Sequence, residues 1–541
     1  MRSDPTNFPA LLRRNREMHG AKNALVAENR SITHAELDRD SRALAARLVA
    51  AGVGKSARLG LLLPNGIEWA VTSAAAWRIG AVVVPLSTLL RPPELEAQLQ
   101  IAAVTHLVLT QTFRDRSYLD DVEVVAPGVT AATRAGRRHP RLPSLRRVWI
   151  ADDLPVSPVD DLPVSPVDDA LVGALEDAVR PADDFVVLFT SGSRGAPKGT
   201  VHTHGSALRA VASGLDARRI GADDRLYIPM PFFWTGGLAG GLLSALVAGA
   251  TLLTEAVPEA ERTLDLLERE RATLFRGWPD QAARLASHPR FATADVSSLG
   301  PASLPAVLPP ARRPAPGARA NLFGMTETFG PYCGARLDLD LPDAKFGSCG
   351  QPFDGVEVRI VDPGTGMICS PAEIGEIRVR GRNVMRCIVG RTRDATFDTD
   401  GFYPTGDLGS VDADGYLWYH GRRDDMFKVK GATVFPGEVE AAIRTIDGVR
   451  QAHVTNVPDQ KQGDAVGVLV VTTTALDELV AGARVRLSAF KVPTCWAVTD
   501  SADDVPMTAT AKVDKAALQE LLLQTGQATT SGPLSTREGT G

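Results

Sequence analysis

Three runs of the chain, "RLGLLL" (58–63), "AVVVPLS" (81–87) and "FVVLFT" (185–190), are apolar at nearly every position. A strand with one face in water alternates apolar and polar side chains. A strand apolar on both faces needs cover on both, as in a largely parallel sheet held between layers of helices. "EWAVTSAAAWRIG" (68–80) separates the first two runs and reads as a helix, so strand, helix and strand follow in the order of an α/β fold. Upstream, "THAELDRDSRALAARLVAAG" (33–52) has helical apolar spacing, and Thr33 with Glu36 predicts a capping box.

A chain of 541 residues is too long for one core, since single cores stop growing near roughly 250–300 residues. The texture changes after "WYHGRRDD" (418–425), where "GEVEAAIRTI", "AVGVLVVTT" and "KAALQELLL" suggest a small α+β unit. The expectation is a large α/β N-terminal domain over 1–422, a small α+β C-terminal domain over 423–524 and a polar, disordered tail over 525–541. Residues 226–254 carry no charge and are long enough to span a bilayer. Pro229, Pro231 and five glycines between Gly236 and Gly249 argue instead for a strand and turn entering a buried helix, with no transmembrane segment.

Composition removes other classes. The net charge is -5 and no long basic run stands out, so nucleic acid is not an expected partner. Five scattered cysteines, with no C-x-x-C pair, indicate neither a disulfide framework nor a zinc site. Residues 1–20 show no apolar signal stretch, which makes the cytoplasm the expected location. The tandem "DDLPVSPV" over 152–167 reads as a surface loop, and the chain leaves room for a homodimer.

The chemistry begins at "LFTSGSRGAPKGTVHTH" (188–204), where glycines and hydroxyls after a strand can wrap an anion. It is not a P-loop, because Pro197 replaces the second glycine and Gly199 follows Lys198 where a Mg²⁺-binding hydroxyl belongs. "NLFGMTET" (321–328) sets Thr326 and Glu327 where a hydroxyl and a carboxylate can meet a nucleotide and its Mg²⁺. "GFYPTGDLG" (401–409) offers Asp407, read as lying in a Gly-rich turn and able to accept hydrogen bonds from a ribose. Arg422 marks the change of texture, and Lys512 precedes the last helix.

Five such stretches in this order resemble the adenylate-forming enzymes, which include acyl-CoA synthetases, luciferases and the adenylation domains of peptide synthetases. The resemblance runs from about residue 32 to residue 518. It implies a large N-terminal domain and a small C-terminal domain that rotates about a hinge. It makes Thr190, Ser191, Gly192, Ser193, Gly195, Lys198 and Gly199 the loop that holds the β- and γ-phosphates of ATP. It also gives Glu327 to Mg²⁺, Thr326 to the adenylate phosphate, Asp407 and Arg422 to the ribose, and Lys512 to the α-phosphate and attacking carboxylate. Asp424 would be the hinge, with Lys430 and Gly431 on the side that meets coenzyme A.

Phe232, Phe233, Trp234, Gly236, Gly237, Gly277, Trp278 and Gly324 lie where this family lines its acyl pocket. Aromatics mixed with glycines suit an apolar acid. No carboxylate occurs in 226–254 to pair with an ammonium, which argues against an α-amino acid. Three features depart from the family pattern: Arg194 in the glycine loop, Ala511 before Lys512, and the stretch 297–317, which is shorter and richer in proline than the family's adenine-contacting segment and is given no adenine contacts. The resemblance implies an acyl-CoA ligase for a hydrophobic acid, in the first place a fatty acid, using ATP, Mg²⁺ and coenzyme A. The alternatives are a protein that loads the pantetheine of a carrier and a non-catalytic binder of nucleotides or acyl-adenylates.

Overall fold

The apolar runs become strands of one seven-stranded sheet, in the order Cys387–Ile388, Lys198–Thr203, Asp184–Thr190, Val82–Pro85, Arg58–Leu62, His106–Leu109, Arg147–Ile150. The last five are mutually parallel. Lys198–Thr203 and Cys387–Ile388 complete the sheet with antiparallel pairings. Val83 and Val84, on opposite faces of one strand, are both fully buried, as the lack of alternation requires. The computed structural model describes residues 5–151, 169–190, 197–429, 432–459, 463–508 and 512–528.

One covering helix, Ile67–Arg78, buries Trp69 and Trp77, and the Trp77 indole N–H donates to the Phe185 carbonyl at 2.8 Å. His34–Ala50 opens with the expected capping box, Glu36 N–H donating to Thr33 Oγ1 at 3.1 Å and Thr33 N–H to Glu36 Oε2 at 2.8 Å. A five-stranded sheet follows the order Leu274–Phe275, Arg225–Tyr227, Thr251–Thr254, Asn23–Ala27, Arg30–Thr33. The charge-free segment enters it as a strand, turns, and runs through helical residues with a π-helical turn at Leu238–Leu243. It then returns as Thr251–Thr254, and no helix among the described residues is long and apolar enough to cross a membrane.

The chain divides into two compact units, one of residues 1–358, 379–403 and 415–417, the other of 359–378, 404–414 and 418–541. The second unit carries most of a four-stranded sheet, ordered Val356–Val361, Gly375–Gly381, Tyr403–Val411, Leu417–Arg422. Its other sheet has six strands built around Gly463–Thr472, which pairs with Val449–Asp459 and Cys495–Thr499. Val439, Ile443, Val454, Val468 and Trp496 fill its core. The helix Lys515–Thr525 and the pair Gln527–Ala528 with Cys495–Trp496 reach into the stretch read as a tail; 529–541 and the tandem repeat at 152–167 lie outside the described residues. All five cysteines are free.

Candidate active site

In the first unit, Asp184–Thr190 and Lys198–Thr203 run antiparallel with Thr190 opposite Lys198, so both ends of the glycine-rich loop meet at one end of the sheet. Ser191, Gly192, Ser193 and Gly195 lie outside the described residues, as does Arg194. Gly199 is packed: a Cβ there would lie 3.0 Å from Val187 Cγ1 and 3.1 Å from Val389 Cγ2.

Thr326 and Glu327 occupy a 3₁₀ turn between the strands Phe323–Met325 and Gly330–Gly334. The hairpin needs Gly324, since a Cβ there would lie 2.2 Å from the Gly330 carbonyl oxygen. Glu327 is buried, and its Oε1 accepts the Tyr403 hydroxyl at 3.1 Å while its carbonyl accepts Met385 N–H at 2.8 Å. Thr326 is held from two sides, its carbonyl by His202 Nε2 at 2.8 Å and its hydroxyl by Thr235 Oγ1 at 3.2 Å. Burial pushes the His202 imidazole down to about 4, so the ring is neutral and its Nε2–H is the donor. His202, Thr235 and Tyr403 were not singled out from the sequence. Each lies inside or beside a stretch that was, which is the signal that could have found them.

The aromatic positions form one cluster. Phe233 and Trp234 meet edge to face at 5.3 Å between centroids, and Trp234 tilts against Trp278 at 5.5 Å. Phe232 and Phe233 are buried, whereas Trp278 is 37% exposed and is no core residue. The glycines have local reasons to be glycine. At Gly237 a Cβ would fall 2.0 Å from the Pro231 carbonyl oxygen, at Gly236 it would fall 2.7 Å from Met230 Sδ, and Gly277 adopts φ 149°.

In the second unit, Asp407 lies within the strand Tyr403–Val411, correcting its reading as a turn residue. Gly406, at φ 73°, bends that strand, and a Cβ on it would lie 3.0 Å from Arg422 Nη2. Arg422 Nη1 meets Asp407 Oδ1 at 3.0 Å and donates to the Thr405 carbonyl at 2.9 Å. Burial opposes the Arg422 charge, yet the Asp407 carboxylate outweighs it and the guanidinium is held more firmly protonated than usual. Asp424 is exposed in the 3₁₀ turn Arg423–Asp425, where Arg423 Nη1 meets Glu376 Oε1 at 3.1 Å. Lys512 is exposed on a loop closed by the Thr508 N–H donating to its carbonyl at 2.7 Å. Lys430 and Gly431 lie outside the described residues.

Residues 12–389 match the model of the AMP-binding enzyme, and 438–512 match that of the AMP-binding enzyme C-terminal domain. The chain belongs to the AMP-binding enzyme family. A 3-[(3aS,4S,7aS)-7a-methyl-1,5-dioxo-octahydro-1H-inden-4-yl]propanoyl:CoA ligase of Mycobacterium tuberculosis is 33% identical, covering 96% of this chain and all of its own. A feruloyl-CoA synthase of Amycolatopsis sp is 32% identical, over 90% of this chain and 93% of its own. Among solved structures, the ATP-bound MatB of Rhodopseudomonas palustris superposes with a TM-score of 0.75 at 25% identity, over 95% of this chain and 98% of its own. The anthranilate CoA ligase AuaEII, bound to anthranoyl-AMP, gives a TM-score of 0.77 at 23% identity, covers 95% of this chain and 97% of its own, and shares the fold.

This AMP-binding enzyme is an acyl-CoA synthetase, an AMP-forming acid–thiol ligase that uses ATP and works through an acyl-adenylate. A carboxylate and ATP repel each other, so the chemistry asks for positioned cations and N–H donors more than for a nucleophilic side chain. Glu327 offers one oxygen to Tyr403 and keeps Oε2 without a hydrogen-bond donor among the described residues. No three metal-ligating side chains cluster among those residues. A cation at Glu327 would share one protein carboxylate with nucleotide phosphates, the ordinary manner of holding Mg²⁺.

Proposed function

We propose that the enzyme activates a hydrophobic, ring-bearing carboxylic acid and passes the acyl group to coenzyme A. The observation that carries the choice of acid is the Phe233–Trp234–Trp278 cluster, aromatic faces with no carboxylate anywhere in 226–254. The names of the relatives favour a ring over a straight chain: a fused bicyclic propanoyl, a feruloyl and, at 29% identity, an indoleacetate CoA ligase. A straight-chain fatty acid is the second reading, favoured by the 26% identical medium-chain acyl-CoA ligase ACSF2.

In this reading the acid's carboxylate oxygen attacks the α-phosphorus, the bond to the bridging oxygen of the β-phosphate breaks, and pyrophosphate leaves. Thr190, Ser191, Gly192, Ser193, Gly195, Lys198 and Gly199 hold the β- and γ-phosphates, and Lys512 neutralises charge at the α-phosphate. Glu327 and the nucleotide phosphates would hold Mg²⁺, which would supply positive charge beside the pyrophosphate. Thr326 is held in place by His202 and Thr235, and Asp407 with Arg422 receives the ribose. The thiol sulfur then attacks the acyl carbonyl carbon, the bond to AMP breaks, and the thiol proton goes to solvent. Between the two steps the C-terminal part from residue 423 onward turns about Asp424, removing Lys512 and presenting the face of Lys430 and Gly431.

The test follows pyrophosphate, AMP and acyl-CoA with Mg·ATP and a panel of fused-ring, aryl-propenoic, medium-chain and long-chain acids, each with and without coenzyme A. AMP turnover that requires coenzyme A and peaks with ring-bearing acids is the expected result. A peak at straight chains selects the second reading, and one burst of pyrophosphate indifferent to coenzyme A points to a carrier protein as acceptor. Lys512→Ala is expected to lose adenylate formation while still making thioester from supplied acyl-AMP. Equal loss of both would refute the rotation.

A further inference from the structure

Six of the fourteen residues from Arg134 to Arg147 are arginine and none is acidic, in a chain whose net charge is -5. The fold gathers four of them, Arg137, Arg138, Arg146 and Arg147, around a recess of about 220 Å³ completed by His106 and the turn Ala51–Gly52. No carboxylate lines it. Two of the guanidiniums are engaged with backbone: Arg138 donates to the Pro143 carbonyl at 2.8 Å, and Arg147 to the Thr133 and Arg134 carbonyls at 3.2 and 2.9 Å. Arg137 and Arg146 have no side-chain partner among the described residues. Their charges face the recess with nothing to answer them.

A second observation points to a ligand. His106 is 1% exposed, yet it lines this recess. Its ring is stacked on Trp149 with centroids 5.3 Å apart and its Nδ1 lies 2.9 Å from Thr105 Oγ1. Nε2 has no hydrogen-bond partner among the described residues. The ring is therefore fixed in orientation through Nδ1, and Nε2 is the atom it has left to offer a polar ligand in the recess.

The location separates this recess from the candidate active site. His106 and Arg147 stand opposite each other at the N-terminal ends of parallel strands, whereas Thr190 closes the C-terminal end of Asp184–Thr190 in the same sheet. Three to four strand spacings and a strand length put them roughly 20 Å apart. Ligands of open α/β sheets belong at the C-terminal ends, so the catalytic chemistry gives no reason for arginines at the other end.

We propose that this recess binds a compact phosphate polyanion, with Arg137 and Arg146 clasping its oxygens and His106 Nε2 completing the contact. Guanidiniums suit phosphate because their planar forks meet two oxygens at once. The recess is too small for more than a few phosphate groups, which favours a small molecule over a nucleic acid. Inorganic pyrophosphate and the phosphate chain of a nucleotide share this chemistry.

Titration calorimetry on the full chain tests it, with inorganic pyrophosphate, ATP and a short single-stranded RNA as separate probes. Because the active site also takes pyrophosphate, the decisive comparison is between wild type, Arg137→Gln/Arg146→Gln and Lys198→Ala. The expected result is a pyrophosphate-binding event that weakens at least tenfold in the double variant, persists in Lys198→Ala and fades with added salt. Ligase turnover of the double variant at saturating Mg·ATP should match wild type, which shows that it is folded. ATP binding to the recess as tightly as pyrophosphate would identify the nucleotide as its source, and much weaker ATP binding would identify the inorganic ion. A pyrophosphate isotherm unchanged in the double variant would overturn the proposal. So would RNA binding more tightly than pyrophosphate and being lost with the same two arginines.

Discussion

Two neighbouring glycines of the proposed acyl wall should respond to the same added methyl group in opposite ways. At Gly237 the new Cβ would lie 2.0 Å from the Pro231 carbonyl oxygen and 2.4 Å from its carbon. Carbon atoms settle at about 3.5–4.0 Å, so backbone would have to move by more than about 1 Å. That is overpacking against main chain, costing about 3–5 kcal/mol, from which Ala's better helix propensity recovers about 1 kcal/mol. At Gly236 the clash is with Met230 Sδ at 2.7 Å and Cε at 3.1 Å, the far end of a flexible thioether. There the net change should stay within about 1 kcal/mol. Thermal unfolding should show Gly237→Ala lowered by about 2–5 °C and Gly236→Ala within about 1 °C of wild type. The cost at Gly236 should appear in kcat/KM instead, roughly tenfold against the bulkiest acid accepted and less against smaller ones. Equal unfolding temperatures for Gly237→Ala and wild type would refute the packing argument, and a Gly236→Ala effect independent of acid size would remove that residue from the acyl wall.

Other expectations follow from the same geometry. Burial holds His34, His106 and His202 down to about 4 and His204 to about 3, against about 6.5 in the unfolded chain. The unfolded state binds the extra protons, so this stability is whole above pH 6.5 and is lost as pH falls from about 6.5 to about 4, by up to about 1.4 kcal/mol per pH unit for each imidazole. Denaturant midpoints measured from pH 7.5 to 5 should fall, and a flat profile would contradict the buried neutral rings. Tyr403→Phe removes the hydroxyl that fixes Glu327 and should raise the Mg²⁺ concentration for half-maximal adenylation about three- to tenfold, with about 1 kcal/mol or less lost in stability. Unchanged Mg²⁺ dependence would leave that hydrogen bond a packing detail. Arg422→Lys keeps the charge but not the planar guanidinium whose Nη1 reaches both Asp407 and the Thr405 carbonyl, and should raise KM for ATP about tenfold; an equal loss in kcat alone would place Arg422 elsewhere in the cycle.

The parallel sheet was legible because burial on both faces leaves a mark on every residue of a strand, and the capping box at Thr33 and Glu36 because both partners lie within four residues. The charge-free segment was legible as a buried turn and helix because prolines and glycines tell against a continuous span. Asp407 was misread for a related reason. A strand that holds a glycine at φ 73° looks like a turn in sequence, and only its neighbours, Gly375–Gly381 and Leu417–Arg422, show it to be an inner strand.

The candidate site divides along the same line. Thr326, Glu327, Asp407, Arg422 and Lys512 stand out because each is the polar member of a short stretch whose spacing is local. Their supports do not, because the bonds from His202 and Thr235 to Thr326 and from Tyr403 to Glu327 span 124, 91 and 76 residues. A histidine in "VHTH" or a tyrosine in "GFYPTGD" has no local property that marks it as a positioning residue. What marks it is what the fold brings opposite, and catalysis by positioned charge depends on such supports as much as on the charges, since a group displaced by an ångström loses most of its effect. The residues most worth substituting in this enzyme are therefore the ones its sequence motifs pass over.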